Sequence, residues 1–250
     1  MSRVVAVVQA RCGSERLPGK VLLALAGRPV VEHVLRAAQA TPSIDDVVLA
    51  TTAGAADDAL AAHAEQLGVR TFRGPEDDVL GRFVGALEGD DADVVVRLTA
   101  DNPLLDPSVA DAVVRRHLEG DCDYASNNGE RSWPRGLDCE VLSRAALERS
   151  AREGLRPEDR EHVTFHVRTH PGDFRLVNVR APAAETWPQL RLSLDTAEDL
   201  ALLERVFDAL YNEHASPLAI GDVIAWLRDH PEVVALNAEI RQKPTLGTVL

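Results

Sequence analysis

The sequence is poor in the residues that mark several classes of protein. Aromatic residues make up only 4% of the 250 residues, and no stretch approaches the roughly 20 consecutive apolar residues that span a bilayer. The apolar run near the N-terminus, in MSRVVAVVQARCG, is too short for a signal peptide. Cys12, Cys122 and Cys139 are an odd number with no metal-type spacing. These absences predict a reduced, cytoplasmic protein that does not span or bind a membrane.

Positive charge is also scarce. The chain has 27 Lys and Arg against 40 Asp and Glu, a formal net charge of −13. Binding to nucleic acid without sequence preference needs clustered Lys and Arg, so we expect no nucleic-acid partner. Against this acidic background, Arg11, Arg16 and Lys20 lie close together with Glu15 as the single carboxylate among them. That segment is a candidate phosphate pocket.

The first half of the chain alternates between buried strands and amphipathic helices. Short β-branched runs predict strands, and apolar residues at helical spacing predict the helices between them. The predicted strands are 4–8, 46–50, 69–72 and 93–98, and the predicted helices begin at Pro29, span 55–67 and 78–87, and begin again at Asp106. This alternation predicts an α/β fold with a mostly parallel sheet and helices on both faces, which binds ligands at the carboxyl ends of its strands.

The second half is less regular. Strands are predicted at 137–142, 175–179 and 189–194, and helices begin at Ser143, span 157–169 and begin at Thr196. No linker rich in Pro, Gly or Ser divides the chain, so residues 1–250 are interpreted as one domain. Residues 121–190 are a candidate lobe on the acceptor side. Residues 216–250 are predicted to form two short helices and an irregular tail.

The loop after the first strand, RCGSERLPGK at 11–20, has the composition of a phosphate-binding loop. Glycines free backbone N–H groups for phosphate oxygens, and fixed cations complete such a site. It is not a Walker A loop, because five residues separate Gly13 from Gly19 and Val21 stands in place of Ser or Thr. The alternative is a basic surface turn.

Two aspartates follow predicted strands. Asp101 comes just after the strand that ends at residue 98, and Asp195 comes just after the one that ends at residue 194. Two carboxylates at neighbouring strand ends can hold Mg²⁺, which takes few protein oxygens and keeps water and phosphate as its other ligands. The alternative is that each is an ordinary turn or N-cap aspartate.

Several spaced motifs resemble one enzyme family along nearly the whole chain. They are RCGSERLPGKVLLALAGRPVVEHVL from residue 11, EDDVLGRF at 76–83, RLTADNPLLDP at 97–107, RGLDCEVLSRAALE at 135–148, EHVTFHVRTHP at 161–171 and RLSLDTAEDL at 191–200. Together they resemble the cytidylyltransferases that activate acylneuraminate and KDO sugars, and most closely the spore-coat polysaccharide branch of that family. The resemblance implies a nucleotide-diphospho-sugar transferase (GT-A-like) fold that joins CMP from CTP to a small anionic acceptor, with Mg²⁺ as cofactor.

The resemblance also implies roles for individual residues. The nucleotide-binding positions are Arg11, Gly13, Ser14, Arg16, Lys20, Asp78, Arg82 and Asp101. Metal binding falls on Asp101 and Asp195, and catalysis on these two with Lys20 and Arg16. The acceptor-facing positions are Arg135, Asp138, Glu140 and His162.

The chain departs from the family pattern at three positions, Glu15, Ala100 and Ala197, which leave the charged groups in place but put the acceptor in doubt. An acidic sugar, a small phosphonate and a phosphorylated acid all remain open as acceptors, and a homodimer remains open as the assembly. A GT-A glycosyltransferase or a nucleotide-sugar-binding protein is the alternative from another class.

Three further patterns have a functional and a structural interpretation. His162, His166 and His170 are four apart and could bind Zn²⁺ from one helical face, but no further ligand completes a site, so a packed or solvated face is favoured. Asp121-Cys122-Asp123 resembles a DxD metal motif but follows a helix ending, which favours a structural turn. Cys12 beside Arg11 could be reactive, but we expect it to be a small filler.

Overall fold

A computed structural model describes residues 2–212 and 217–241. Its centre is a seven-stranded sheet with the order β5-β4-β1-β6-β8-β7-β9, in which β8 runs antiparallel to both of its neighbours. The strands are β1 (Val4–Gln9), β4 (Asp46–Thr52), β5 (Arg70–Gly74), β6 (Val94–Thr99), β7 (Tyr124–Ser126), β8 (Glu140–Ser143) and β9 (Leu176–Asn178), with a separate hairpin of β2 (Ala24–Leu25) and β3 (Arg28–Pro29). The predicted mostly parallel α/β sheet is confirmed.

Helices cover both faces of the sheet. They are α1 (Val30–Gln39), α2 (Asp58–Gln66), α3 (Val79–Ala86), α4 (Pro107–Leu118), α5 (Arg144–Glu153), α6 (Pro157–Glu161), α7 (Phe165–Thr169), α8 (Ala197–Leu210), α9 (Ile220–Asp229) and α10 (Pro231–Val234). Among the described residues, no helix is both long and apolar enough to cross a membrane.

The central strands form because their side chains are apolar on both faces. In β1, Val4, Ala6 and Val8 pack with the cluster that contains α1 and α4 residues. Val5 and Val7 point the other way and pack with α3 and α5 residues. Burial on both faces makes this strand the middle of the sheet, because each buried valine side chain contributes about 1.5–3 kcal/mol relative to exposure.

The strand register brings two loops to one edge of the sheet. Gln9, the last residue of β1, is paired with Thr99, the last residue of β6. The candidate phosphate loop therefore leaves the sheet beside the segment that carries Asp101. The segment before Asp195 joins them, since the Leu194 N–H donates to the Asp101 carbonyl at 2.8 Å.

The predicted strand 189–194 is wrong. Its backbone makes one isolated bridge, between Arg191 and Arg135, and does not join the sheet. The segment runs beside Arg135 and Gly136, and a Cβ on Gly136 would lie 2.6 Å from the Leu192 carbonyl carbon. Gly136 also has φ 109°, in the region that favours glycine. The two segments thus lie side by side as a short parallel pair outside the sheet.

The predicted helix 157–169 is broken into α6 and α7. His162 leaves the helical conformation at the end of α6. The Thr164 side chain turns inward, and its hydroxyl donates to Glu140 at 2.7 Å. His162 is therefore not on one helical face with His166 and His170, which removes the spacing that suggested zinc.

The structure describes all of the candidate lobe, 121–190, and part of the C-terminal segment, 216–250. Residues 121–190 contribute β7, β8 and β9 to the same sheet. The two predicted C-terminal helices are α9 and α10, and α9 packs its buried face on α8. Residues 213–216 and 242–250, which include most of the predicted tail, lie outside the described residues.

Candidate active site

The phosphate loop is a compact turn at the end of β1. The Ser14 and Gly19 N–H groups both donate to the Cys12 carbonyl, at 2.8 and 2.9 Å. Gly19 adopts φ 69°, which reverses the chain before Lys20 at little steric cost. The Cys12 N–H donates to Asp57 at 2.7 Å, which fixes the loop on the neighbouring α2 segment. The loop thus folds back and turns Lys20 into the site.

Lys20 joins the two predicted metal aspartates. Its Nζ donates to Asp101 at 2.7 Å, to Asp195 at 2.8 Å and to the Leu194 carbonyl at 2.8 Å. Burial alone would lower the pKa of Lys20, but Asp101 and Asp195 raise it above its usual value. The lysine is therefore a fixed positive charge at the pocket edge.

Asp195 is surrounded by cations. Its second oxygen is ion-paired with Arg16 at 3.1 Å and accepts a hydrogen bond from Arg191 at 2.6 Å. Burial would raise the pKa of Asp195, but Lys20 and then Arg191 and Arg16 lower it to about 2. Asp195 is thus ionised at any ordinary pH.

A buried carboxylate supports this arrangement from behind. Asp199 accepts two hydrogen bonds from Arg191, at 2.8 and 3.0 Å, and one from the Asp195 N–H at 2.9 Å. It also closes a capping box with Thr196 at the start of α8. The helix start thereby fixes the position of the Asp195 carboxylate.

The two aspartates fit a divalent cation. Their oxygens already share one ammonium group, which shows that both can face a single positive centre. Among the described residues, no group of three or more His, Cys, Asp or Glu forms a closed metal site. A cation held by two carboxylates would keep its other positions for water and phosphate oxygens, which is the preference of Mg²⁺.

A pocket of ≈ 350 Å³ opens at this sheet edge. Its lining includes most of the predicted nucleotide and metal positions, and one predicted acceptor position, His162. The lining residues from those predictions are Arg11, Gly13, Ser14, Arg16, Lys20, Arg82, Asp101, His162 and Asp195. The structure thus brings together residues that are up to about 180 positions apart in the chain, which sequence spacing alone could not establish.

Arg82 lines the pocket from α3, whereas Asp78, the N-cap of this helix, is not among the lining residues. Asp78 caps this helix by accepting from the Gly81 N–H at 2.8 Å, and it is ion-paired with Arg160. Arg82 is 2% exposed and donates to the carbonyls of Pro75 and Glu76. Burial lowers the pKa of Arg82, and the charge of Arg11 lowers it further. Arg82 thus holds the 75–77 turn, while Asp78 acts through the helix start.

The predicted acceptor residues differ in placement. Asp138 forms a two-pronged ion pair with Arg131, at 2.7 and 3.0 Å. Arg135 is half-buried and has no hydrogen-bonded or ion-paired side-chain partner among the described residues. Burial lowers the pKa of Arg135, and Arg131 lowers it further. Arg135 is therefore a cation with donors left for an anion.

Glu140 does not fit a direct contact with an acceptor. It is 1% exposed and ion-paired with Arg97, and one of its oxygens accepts from the hydroxyls of Tyr124 and Thr164, at 2.6 and 2.7 Å. Burial would raise its pKa, but Arg97 lowers it below the usual value. Glu140 is an ionised structural carboxylate behind the pocket.

The DxD-like turn at 121–123 and Cys12 both have structural rather than chemical roles. Asp121 pairs with Arg116 and Asp123 with Arg175, so both carboxylates of the DxD-like turn are engaged. Burial and then Asp57 raise the pKa of the Cys12 thiol to about 11, which keeps it neutral. Cys12, Cys122 and Cys139 are free thiols.

Sequence reasoning missed several residues of the site. Gln9 and Thr99 end their strands and line the pocket, as does Glu161. Arg191 and Asp199 lie four residues before and four residues after Asp195 and support its carboxylate. The Thr196-to-Asp199 spacing is a capping-box signal for Asp199, and the position of Gln9 at a strand end was a signal for Gln9, whereas Arg191 had none.

The fold and the site define a nucleotidyltransferase type of α/β protein, with a cationic loop and paired carboxylates at one sheet edge. A family model for cytidylyltransferases matches residues 5–220. The chain therefore belongs to the cytidylyltransferase family and is an enzyme of the nucleotidyltransferase class.

Two similar proteins cover most of the chain. The uncharacterized protein MJ1063 of Methanocaldococcus jannaschii is 34% identical over 244 residues, which are 96% of this chain and 97% of that protein. The spore coat polysaccharide biosynthesis protein SpsF of Bacillus subtilis is 36% identical over 212 residues, 83% of this chain and 87% of that protein.

Solved structures agree on the fold. A cytidylyltransferase from Leptospira borgpetersenii has a TM-score of 0.89 at 27% identity and covers 97% of this chain and 100% of that chain. A CMP:2-keto-3-deoxy-manno-octonic acid synthetase complexed with CTP has a TM-score of 0.64 at 20% identity, covering 83% and 99%. A manganese complex of Rv0371c from Mycobacterium tuberculosis has a TM-score of 0.59 at 17% identity, covering 82% and 99%.

Proposed function

We propose that this protein transfers CMP from CTP to an acidic sugar or a related anionic acceptor, with release of pyrophosphate and with Mg²⁺ as cofactor. The observation that carries the proposal is the contact of Lys20 with Asp101 and Asp195 at the mouth of the phosphate loop. The solved synthetase that holds CTP supports the choice of nucleotide, and the manganese complex supports a divalent cation. We expect the enzyme to work in the cytoplasm.

The reaction is an in-line displacement at the α-phosphorus of CTP. An acceptor oxygen forms a bond to this phosphorus, and the bond to the oxygen that bridges the α- and β-phosphates breaks. Pyrophosphate leaves with that bonding electron pair, and an acceptor hydroxyl gives up its proton to solvent. No covalent enzyme intermediate is needed, so positioning and charge stabilisation are the work of the protein.

The residues divide this work by charge. Arg11, Arg16 and Lys20 neutralise the phosphates and the leaving pyrophosphate, and backbone N–H groups near Gly13 add neutral donors. Asp101 and Asp195 would hold the divalent cation. When bound, this cation supplies Lewis-acid charge that draws electron density from the phosphate and lowers the pKa of a coordinated hydroxyl.

An anionic acceptor is favoured by the unpaired charge of Arg135. Its half-buried guanidinium has donors available. Arg131 and Arg191 add positive charge around it, and Asp138 and Asp195 offset part of that charge. A guanidinium recognises carboxylate and phosphonate oxygens equally well, so a small phosphonate or phosphorylated acid is the second candidate acceptor.

A glycosyltransferase or a nucleotide-sugar-binding protein fits less well. The carboxylates of the DxD-like turn, Asp121 and Asp123, are both paired with arginines on the surface. Asp101 and Asp195, by contrast, line the pocket.

One assay tests the proposal. Purified protein with Mg²⁺ is given each of the four nucleoside triphosphates and a panel of acidic sugars, sugar phosphates and phosphonates. Pyrophosphate is measured, and CMP adducts are identified by mass spectrometry. We expect pyrophosphate with CTP only when an acceptor is present. Release of a free nucleotide from a nucleotide sugar, with no pyrophosphate from CTP, would establish the glycosyltransferase alternative.

A further inference from the structure

Gln9 presents a fixed hydrogen-bond donor to the pocket. Its amide oxygen accepts from Arg97 Nε at 3.0 Å. Because a guanidinium can only donate, Gln9 must turn its oxygen toward Arg97 and its NH₂ group away from it. That NH₂ group donates to none of the described residues, and the side chain lines the pocket. The pocket therefore meets two oriented N–H donors.

Arg97 is held in place by a buried network. Arg97 and Glu140 are register partners on β6 and β8, and their side chains are ion-paired. Tyr124 and Thr164 donate to the same buried carboxylate and fix it from the other side. These contacts hold the Arg97 guanidinium in one place, so the amide of Gln9 is oriented before any ligand arrives.

The donor lies away from the phosphate loop. Side chains alternate along β1, and Gln9 falls on the face of Val5 and Val7, whereas Cys12 and Val21 of the loop segment pack with the opposite face. The contact with Arg97 places the amide oxygen of Gln9 on the β6 side of β1, which leaves the NH₂ group for the pocket.

This placement matches the acceptor better than the nucleotide. In-line displacement brings the acceptor from the side opposite the leaving pyrophosphate, which the loop holds. Thr99, the register partner of Gln9, lines the same pocket, and so does the predicted acceptor position His162. A neutral N–H donor suits a carboxylate or hydroxyl oxygen of such a ligand.

We propose that Gln9 is a specificity-determining residue that donates its amide N–H to an oxygen of the acceptor, with Arg97 and Glu140 as the residues that position it. This inference rests on the proposed cytidylyltransferase reaction, because it needs an acceptor that binds beside CTP.

The test compares Gln9→Met with Gln39→Met. Methionine keeps the length of glutamine but has no N–H donor, and Gln39 is an exposed residue at the end of α1, far from the pocket in the fold. The acceptor is the compound from the panel that releases pyrophosphate fastest with the wild type. The Michaelis constants for this compound and for CTP are measured separately, and CTP binding without acceptor is measured by calorimetry.

For Gln9→Met we expect the acceptor KM to rise about tenfold to hundredfold, since up to two hydrogen bonds to a charged or polar ligand are lost. The affinity for CTP should stay within about twofold, and Gln39→Met should match the wild type, as surface changes usually do. A tenfold weaker affinity for CTP with an unchanged acceptor KM overturns the inference, and so does no change in either constant. If the wild type releases no pyrophosphate with any compound, the proposed function itself fails.

Thr164→Val tests the positioning network separately. It removes one donor to Glu140 but leaves the Arg97 ion pair in place. We expect the acceptor KM to rise about two- to fivefold in the wild-type background and not at all in the Gln9→Met background, because coupled residues are non-additive. An equal rise in both backgrounds would show that Thr164 does not act through Gln9 and would overturn the positioning role.

Discussion

The proposed phosphate side and the proposed acceptor side of the pocket use charge in different ways. On the phosphate side, Lys20, Asp101 and Asp195 contact one another and still face the pocket. On the acceptor side, the ion pair of Glu140 with Arg97 is buried behind the wall, and a neutral amide faces the ligand in its place. Some charged residues of the family motifs, such as Lys20, therefore line the pocket themselves. Others, such as Glu140, are buried and act by positioning a residue that lines it.

The largest expected effect comes from removing a carboxylate on the phosphate side. Asp195→Asn keeps the shape of the side chain but removes the charge that three cations and the proposed metal share. We expect kcat to fall about a thousandfold or more, as for the loss of a central electrostatic contact in other active sites. Initial rates of pyrophosphate release measure this effect.

Asp121→Asn is the matched control. Asp121 is an exposed aspartate paired with Arg116, and exposed ion pairs contribute little. We expect near-normal rates and an unchanged fold by circular dichroism. Normal rates for Asp195→Asn, or loss of activity for Asp121→Asn, would reverse the assignment of the metal to the phosphate side.

A smaller effect on rate, with an opposite effect on metal binding, is expected for Lys20→Met. The ammonium stabilises the transferring phosphate, so kcat should fall about a hundredfold. In the absence of nucleotide, however, the same ammonium neutralises Asp101 and Asp195, so its removal should increase the affinity for a divalent cation. Binding of Mn²⁺ without CTP, followed by electron paramagnetic resonance, measures this. A weaker affinity for Mn²⁺ would show that Lys20 does not share those oxygens with the metal.

The sequence predicted the features that leave a local pattern, and it missed those that depend on contacts between distant residues. The alternating strands and helices of the first half were readable because burial on both faces leaves a strong apolar pattern, as in β1. Asp101 follows β6 and Lys20 follows a glycine turn, so the sheet brings these two residues to one edge. Asp195 reaches them through a segment, 189–194, that has a strand-like pattern but lies outside the sheet, and its place depends on backbone contacts with distant residues such as Arg135 and Asp101. The role of Gln9 depends likewise on Arg97, 88 positions away, and no local pattern encodes that.

The free energy of unfolding should fall at low pH, because Asp195 loses its charge there. The pKa of Asp195 is lowered in the fold to about 2 from its usual 3.8. The stabilising contribution of Asp195 is therefore fully present above about pH 4 to 5, and it is lost as the pH falls through the folded value.

At pH 6 this contribution is about 2 kcal/mol, and about 1 kcal/mol of it should be lost by pH 3. Urea unfolding gives the free energy of unfolding of the wild type and of Asp195→Asn at the two pH values. The difference between the two proteins at each pH isolates the contribution of Asp195, because all other titrating groups are the same in both. A difference in free energy of unfolding that stays constant from pH 6 to pH 3 would contradict the ion pairing of Asp195.

The smallest effect is expected for Cys12→Ser, although Cys12 is within the phosphate loop. The loop uses the backbone of this residue, through its carbonyl and its N–H, and serine keeps both. Its thiol has a pKa of about 11, because burial and the Asp57 carboxylate disfavour the thiolate, and the proposed displacement needs no nucleophile from the enzyme. We expect kcat/KM within about threefold of the wild type, as for most substitutions outside the chemistry, and slow modification by iodoacetamide at pH 8. Complete loss of activity would show that the Cys12 thiol itself takes part in the reaction. The phosphate loop would then contribute chemistry beyond its fixed charges and backbone donors.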